Sequence, residues 1–169
     1  MSPDRPADTA QPASTDHMPP RDPGLPEAVE IYDLVQASQA AGRGPVLVYP
    51  FVTFTDAAAP ELTVYLSPSE NANPTSPNRY AFAVDSAAPA TVQPVPLANA
   101  GGEPPGWAAA VTAGAYVKTT KLGAALPAGK HVLRVWLLEP TMVLTKLVVD
   151  LGGVKSSTLG PPESGIVGR

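Results

Sequence analysis

The sequence predicts an all-β fold, an antiparallel β-sandwich or jelly roll, behind a disordered N-terminal tail. Three observations predict it: short runs in which β-branched and aromatic residues alternate, turn signals about every dozen residues, and no helical period long enough for a core helix.

Residues 1–26 contain seven prolines and no aromatic residue, with Met1, Met18 and Leu25 as the sizeable apolar side chains. So little burial cannot offset about 1–2 kcal/mol of backbone ordering per residue, so a tail with a solvated His17 is expected. Val29, Ile31 and Leu34 alternate as in a first strand, while residues 27–41 suit a helix equally well through Leu34, Val35 and the alanines. Over residues 45–55, Val46, Val48 and Pro50 share one face and Leu47, Tyr49 and Phe51 the other, giving a strand expected to break near Pro50. Leu62, Val64 and Leu66 alternate with Thr63 and Tyr65 in a half-buried strand. Residues 67–78 are a polar loop with three prolines and three asparagines, and Tyr80, Phe82 and Val84 then line one side of a strand over 79–85. Strand, loop and strand read as a hairpin with a long tip. Residues 91–97 form a further strand, placed at an edge by Pro94 and Pro96, and 98–106 are a Gly/Pro connection. Residues 107–111 suit one or two helical turns before a strand over 115–122.

In the last third, apolar residues alternate around Arg134 from Lys130 to Leu138. Over 142–150, Val143, Leu147 and Val149 share one face and Lys146 and Asp150 the other. Glu139-Pro140-Thr141 separates the two runs, and because proline fixes φ and lacks a ladder donor, a turn and a final hairpin are expected.

This stretch also carries a family likeness. Gly129-Lys130-His131, the apolar run with Trp136, the acidic-Pro turn, the run ending at Asp150, Gly152-Gly153-Val154-Lys155 and Leu159-Gly160-Pro161-Pro162-Glu163-Ser164 follow one another. The series resembles the C-terminal domain of glycoside hydrolase family 115, whose members are α-glucuronidases acting on glucuronoxylan. The resemblance covers residues 29–164, more loosely upstream through 62–68, Asn73-Pro74-Thr75, 79–85 and 107–111. It departs where the family has Asp-Pro-Gly and this chain Glu139-Pro140-Thr141, and where the family has Pro-Ser-Tyr and this chain Ser156-Ser157-Thr158, which removes an aromatic contact. The strand pair after Gly129 also looks like that of galactose-binding-like carbohydrate modules, an analogy for a jelly roll. The resemblance implies a domain over residues 27–164 between tails 1–26 and 165–169. It brings no catalytic residue, because the family's active site lies in a barrel domain and the domain before it, and a barrel alone needs about 250 residues.

At 169 residues one core is expected. The net charge is -4 and the Lys and Arg residues are scattered singly, so nucleic acid is excluded as an expected partner. Cysteine is absent, which rules out disulfides and thiolate metal sites and leaves the compartment open. The N-terminus has no apolar run after a basic start, and no stretch approaches about 18 apolar residues, so the expectation is a soluble chain without a signal peptide or membrane span, although related enzymes are normally exported.

Sugar binding on a β-sandwich calls for exposed aromatic rings against pyranose C–H faces, with amides, carboxylates or guanidinium groups for the hydroxyls. The candidates are Trp136 on the face of Arg134, Trp107 after the Gly/Pro loop, and Tyr65 and Tyr80 in strands; packing is the commoner use of both tryptophans, and alternation turns half of such tyrosines inward. Asn73, with Asn71 and Asn78, lies in the polar loop beside Arg79, where turn chemistry explains asparagine as well as a ligand does. Arg79 and Arg134 match a uronate carboxylate through a bidentate guanidinium.

For catalysis little is offered. His131 has no H-E-x-x-H or G-x-S-x-G around it, and spacing along strands does not place Glu61, Asp85, Glu139 and Asp150 at the roughly 5–10 Å that paired glycosidase carboxylates need. Asp150 before Gly152-Gly153 reads as a turn residue, and a calcium site at Asp85 or Asp150 lacks a ligand loop. No cofactor is implied. The expectation is a non-catalytic accessory module, of the kind ending xylan α-glucuronidases, that packs on catalytic domains or assists binding of glucuronoxylan or glucuronic acid. The alternative is a structural or oligomerisation module whose Leu159–Ser164 ending straps onto a partner; a complete small enzyme is a third reading.

Overall fold

The computed structural model describes residues 29–30, 43–71, 73–98, 102–140, 142–155, 157 and 160–165. Its elements are β1 (Val29–Glu30), β2 (Leu47–Thr53), β3 (Glu61–Leu66), β4 (Tyr80–Val84), β5 (Ala90–Val92), α1 (Trp107–Ala113), β6 (Tyr116–Lys121), β7 (Gly129–Leu137) and β8 (Val143–Asp150). Two four-stranded antiparallel sheets face each other, in the orders β1-β8-β3-β6 and β2-β7-β4-β5. The pairing has a simple rule: β1 pairs with β8, β2 with β7, β3 with β6 and β4 with β5. This is one long hairpin rolled into two layers, the jelly roll expected from the strand pattern.

The rolled topology overturns two hairpins that the sequence suggested. β3 and β4 lie in different sheets, and so do β7 and β8, so residues 67–79 and the Glu139-Pro140 segment are sheet-to-sheet crossings. The β4–β5 pair, joined by residues 85–89, is the tip of the roll. Proline still explains the break after β7, since Pro140 offers no ladder donor, but the chain leaves its sheet there instead of folding back.

Alternation builds the core. Leu62, Val64 and Leu66 of β3 and Leu144 of β8 face Tyr80, Phe82 and Val84 of β4 and Leu133, Val135 and Leu137 of β7, all buried in one cluster. Each fully buried Leu or Val is worth about 1.5–3 kcal/mol over leaving it in water. Val143 was expected on this inner face; Leu144 takes the place instead. The register shifts between Tyr65 and Leu66, with Tyr65 opposite Lys146 and Leu66 opposite Leu144, so Thr145 is an extra residue and the phase of β8 flips across it. The Thr145 hydroxyl donates to the Tyr65 carbonyl at 3.1 Å.

Two other local expectations change. β2 runs unbroken through Pro50, opposite Val132, because β2 is an edge strand and a missing N–H on its open side costs no ladder bond. β5 stops at Val92, before Pro94. The helical turns expected over 107–111 are α1, closed by Gly114 at φ 73°, a left-handed conformation that glycine adopts without a Cβ penalty. The expected tail over 1–26 and most of the ambiguous segment 27–41 lie outside the described residues. No described helix is long and apolar enough to cross a membrane.

Candidate functional site

Because every antiparallel pairing joins an odd-numbered strand to an even-numbered one, odd strands run one way and even strands the other, and the β3–β4, β5–β6 and β7–β8 connections gather at one end of the sandwich and the β2–β3, β4–β5 and β6–β7 connections at the other. At the first end two crossings lie side by side and line a cavity open to solvent, of about 460 Å³, walled by Ser69, Glu70, Asn71, Asn73, Ser76, Asn78, Glu139 and Pro140.

Internal bonds hold its walls. Glu139, 4% exposed, receives Arg79 Nη2 on Oε1 at 2.5 Å and the Ser76 hydroxyl on Oε2 at 2.5 Å. One buried carboxylate thus clamps the end of β7 to the β3–β4 crossing, and the Leu138 N–H donating to the Arg79 carbonyl at 3.0 Å seals the contact. Asn71, 1% exposed, donates from Nδ2 to the Val95 carbonyl at 2.7 Å and accepts the Asn78 N–H at 2.9 Å. Asn78 donates in turn to the Glu70 carbonyl at 3.0 Å. Asn73 closes an Asx turn, its Oδ1 accepting the Thr75 N–H at 3.1 Å and the Thr75 hydroxyl at 2.8 Å.

The residues singled out from sequence fall in five places. Asn73 lines this cavity, and Arg79 lies behind its wall, its guanidinium engaged by the lining residue Glu139. Trp136 and Arg134 share the outer face of the second sheet, where Trp136, 6% exposed, is buried with Ala81, Ala83 and Leu138. Tyr65 points outward from the first sheet beneath Gly160, whose position for a Cβ is 2.8 Å from the Tyr65 hydroxyl oxygen. Tyr80 is fully buried in the core, and burial pushes its phenol up to about 12 against a smaller opposing pull from the Thr120 hydroxyl. Trp107 anchors α1 to β6, its ring 6.3 Å from that of Tyr116. Four of the five aromatic rings named here are therefore mostly turned away from solvent, while Trp107 is half-buried.

Two of the four candidate acids come together and two stand apart. Glu61 and Asp150 sit opposite one another on β3 and β8, on the outer face of the first sheet. Asp150 Oδ1 accepts the Gly152 N–H at 2.7 Å, the turn bond its position suggested. Asp85 lies at the far end of the sandwich, accepting the Val132 N–H at 2.9 Å and facing His131 Nδ1 at 2.8 Å. His131 Nε2 faces the Pro127 carbonyl at 2.9 Å. The Asp85 carboxylate first, then that carbonyl, raises the histidine above its ordinary pKa, and the bond to His131 first, with the Val132 N–H behind it, holds Asp85 below the usual carboxylate value. Among the described residues, no group of three or more His, Cys, Asp or Glu is placed to hold a metal ion.

Sequence reasoning missed Glu139, Ser69, Ser76 and Glu70 as cavity residues. A glutamate directly after the unbroken apolar run 135–138 was the available signal, hidden by reading Glu139 as part of a hairpin turn.

The outer face of β2 adds one further feature. Val48, Pro50 and Val52 occupy alternate outward positions of β2, with Val48 53% and Val52 39% exposed; Val46, 40% exposed, and Phe54, 77% exposed, flank the strand, and Val132 beside it on β7 is 36% exposed. An edge strand apolar on both faces leaves one uncovered.

No curated protein matches the chain. Among solved structures, it is similar to a family 115 4-O-methyl-α-glucuronidase described as specific for decorated arabinogalactans, with 18% identity and a TM-score of 0.51 over 73% of this chain. The matched part is 14% of that longer chain, and at this identity the likeness speaks for the fold. The family model of the glycosyl hydrolase family 115 C-terminal domain matches residues 24–163, which takes in both sheets, both crossings and the final segment; the chain belongs to that family.

Proposed function

We propose that the chain is a non-catalytic accessory module that packs on the catalytic domains of a glycosidase acting on glucuronoxylan-type carbohydrate and assists the binding of that carbohydrate. The observation that carries the packing is the uncovered apolar stripe of β2, Val46 to Phe54 on alternate residues, beside Val132. In water such a stripe costs free energy that a protein surface recovers, and it stands on the sheet face opposite the core. The similar solved chain extends far beyond the part matched here, which leaves ample protein for such a surface to meet. The non-catalytic reading draws support from the acids. Glu139 is bound on both oxygens, Asp85 is bound to His131 and Val132, and Asp150 closes its turn.

The test is a pair of outward substitutions, Val48→Asp and Val52→Asp, in the full chain mixed with the catalytic part of a family 115 α-glucuronidase. Co-elution by the parent chain and its loss in the double variant, with unchanged thermal unfolding, is the expected result. If the parent chain instead forms a dimer that the same pair dissolves, the stripe is a self-association surface and the packing reading fails. Release of glucuronic acid by the chain alone would refute the non-catalytic reading.

A further inference from the structure

We infer that the cavity between the two crossings is a binding subsite for the hydroxyl groups of an uncharged sugar residue, and that it disfavours a uronate carboxylate. The inference rests on the reading that the chain serves a carbohydrate-active enzyme, and it adds the location and the ligand class.

The chemistry of the lining sets the class. Asn73 Oδ1 is consumed by Thr75, which leaves its Nδ2 as a donor; Asn78 uses Nδ2 toward Glu70 and Ser69, which leaves its Oδ1 as an acceptor. Ser69 contributes a hydroxyl and Glu70 a carboxylate that makes no ion pair among the described residues. Donors and acceptors therefore alternate around one concavity. Neighbouring sugar hydroxyls each donate and accept, so a mixed set of this kind satisfies them, whereas an anion needs donors alone. No aromatic ring lines the cavity, so recognition runs through hydroxyl edges and not through a stacked pyranose face.

Charge decides against the uronate. The cation in this region, Arg79, is already neutralised by Glu139, and Glu70 adds an unbalanced negative charge at the wall. A bound carboxylate would meet repulsion from Glu70 with no free guanidinium to answer it. The volume, about 460 Å³, falls within the roughly 300–1,000 Å³ of small-molecule sites. The walls are fixed before any ligand arrives: Asn71 is tied to Val95 and Asn78, and Glu139 to Arg79 and Ser76. Little ordering is left to oppose binding.

The experiment is side-chain amide NMR of the full chain titrated separately with xylotetraose and with sodium glucuronate. Xylotetraose is expected to shift the Asn73 and Asn78 amide resonances, with glucuronate binding about tenfold more weakly. Glu70→Gln, which leaves the wall bonds in place, is expected to narrow that ratio to roughly threefold or less. Absence of shifts at Asn73 and Asn78 with xylotetraose, or glucuronate binding as tightly as xylotetraose, overturns the inference. Shifts confined to the β2 face overturn the location as well. Each of those outcomes leaves the packing test standing, because Val48 and Val52 lie on a different surface.

Discussion

His131 stands between Asp85 and the Pro127 carbonyl with both ring nitrogens facing acceptors, at 2.8 and 2.9 Å. Only the imidazolium donates from both nitrogens, so the fold favours the charged ring even though the residue is 5% exposed. The site ties β7 to the end of β4 and to the β6–β7 connection, where Thr53 also donates to the Pro127 carbonyl at 2.7 Å.

Stability should therefore depend on pH through both partners. The raised His131 contributes fully below about pH 6.5 and loses its contribution as pH rises through the folded value. The lowered Asp85 contributes above about pH 3.9 and loses its contribution as pH falls through its own folded value. Thermal melts should peak between these limits and decline on the alkaline side. His131→Gln should flatten that decline, and Asp85→Asn should lower the His131 titration midpoint in NMR; an unchanged midpoint would show that the pair is not formed in solution.

The Arg79–Glu139 clamp should be asymmetric. The Arg79 side chain is 42% exposed and that of Glu139 5%, so Arg79→Ala strands a buried carboxylate while Glu139→Gln leaves a cation that reaches water. Urea unfolding should give a loss of about 2–3 kcal/mol for Arg79→Ala and about 1 kcal/mol for Glu139→Gln. The double variant should recover part of the first loss. Equal losses would mean that Glu139 is hydrated.

Gly160 lies at φ 73° against the ring of Tyr65, and Lys146 Nζ donates to the Pro161 carbonyl at 3.1 Å. The described ending thus packs on its own first sheet. Gly160→Ala should cost about 1–2 kcal/mol in backbone strain, plus the clash with Tyr65. Trypsin cleavage at the exposed Lys155 should accelerate while β-sheet circular dichroism stays intact. Unchanged cleavage would argue that the segment is detached in solution.

Trp136 offers a separate check on sugar recognition. With 6% exposure and Ala81, Ala83 and Leu138 around it, Trp136→Ala should destabilise by about 3 kcal/mol and leave carbohydrate binding per folded molecule unchanged. Loss of binding at full foldedness would assign the ring to a ligand.

Alternation made the two layers legible, since Leu62, Val64 and Leu66, or Tyr80, Phe82 and Val84, need no partner to reveal an inner face. Partner choice was not legible. A short Glu-Pro-Thr link suits a hairpin and a crossing equally, and the deciding fact, that β3 and β7 each have neighbours elsewhere, lies in distant sequence. The slip at Thr145 has the same origin, for an extra residue shows itself only against the opposite strand. At the cavity, asparagines and prolines announced a loop, but the burial of Asn71 and Glu139 depends on Val95 and Arg79, which sequence spacing does not bring near.

The pairing of first strand with last also governs how the chain acquires its shape. While a ribosome has delivered residues only up to Val92, β4 and β5 are, among the described strands, the one adjoining pair it can offer; β3 must wait for β6, β2 for β7, and β1 for β8. Long-range pairings of this kind delay assembly. The nascent chain therefore keeps its apolar runs uncovered until Asp150 has emerged, the condition in which partly made β proteins aggregate most readily.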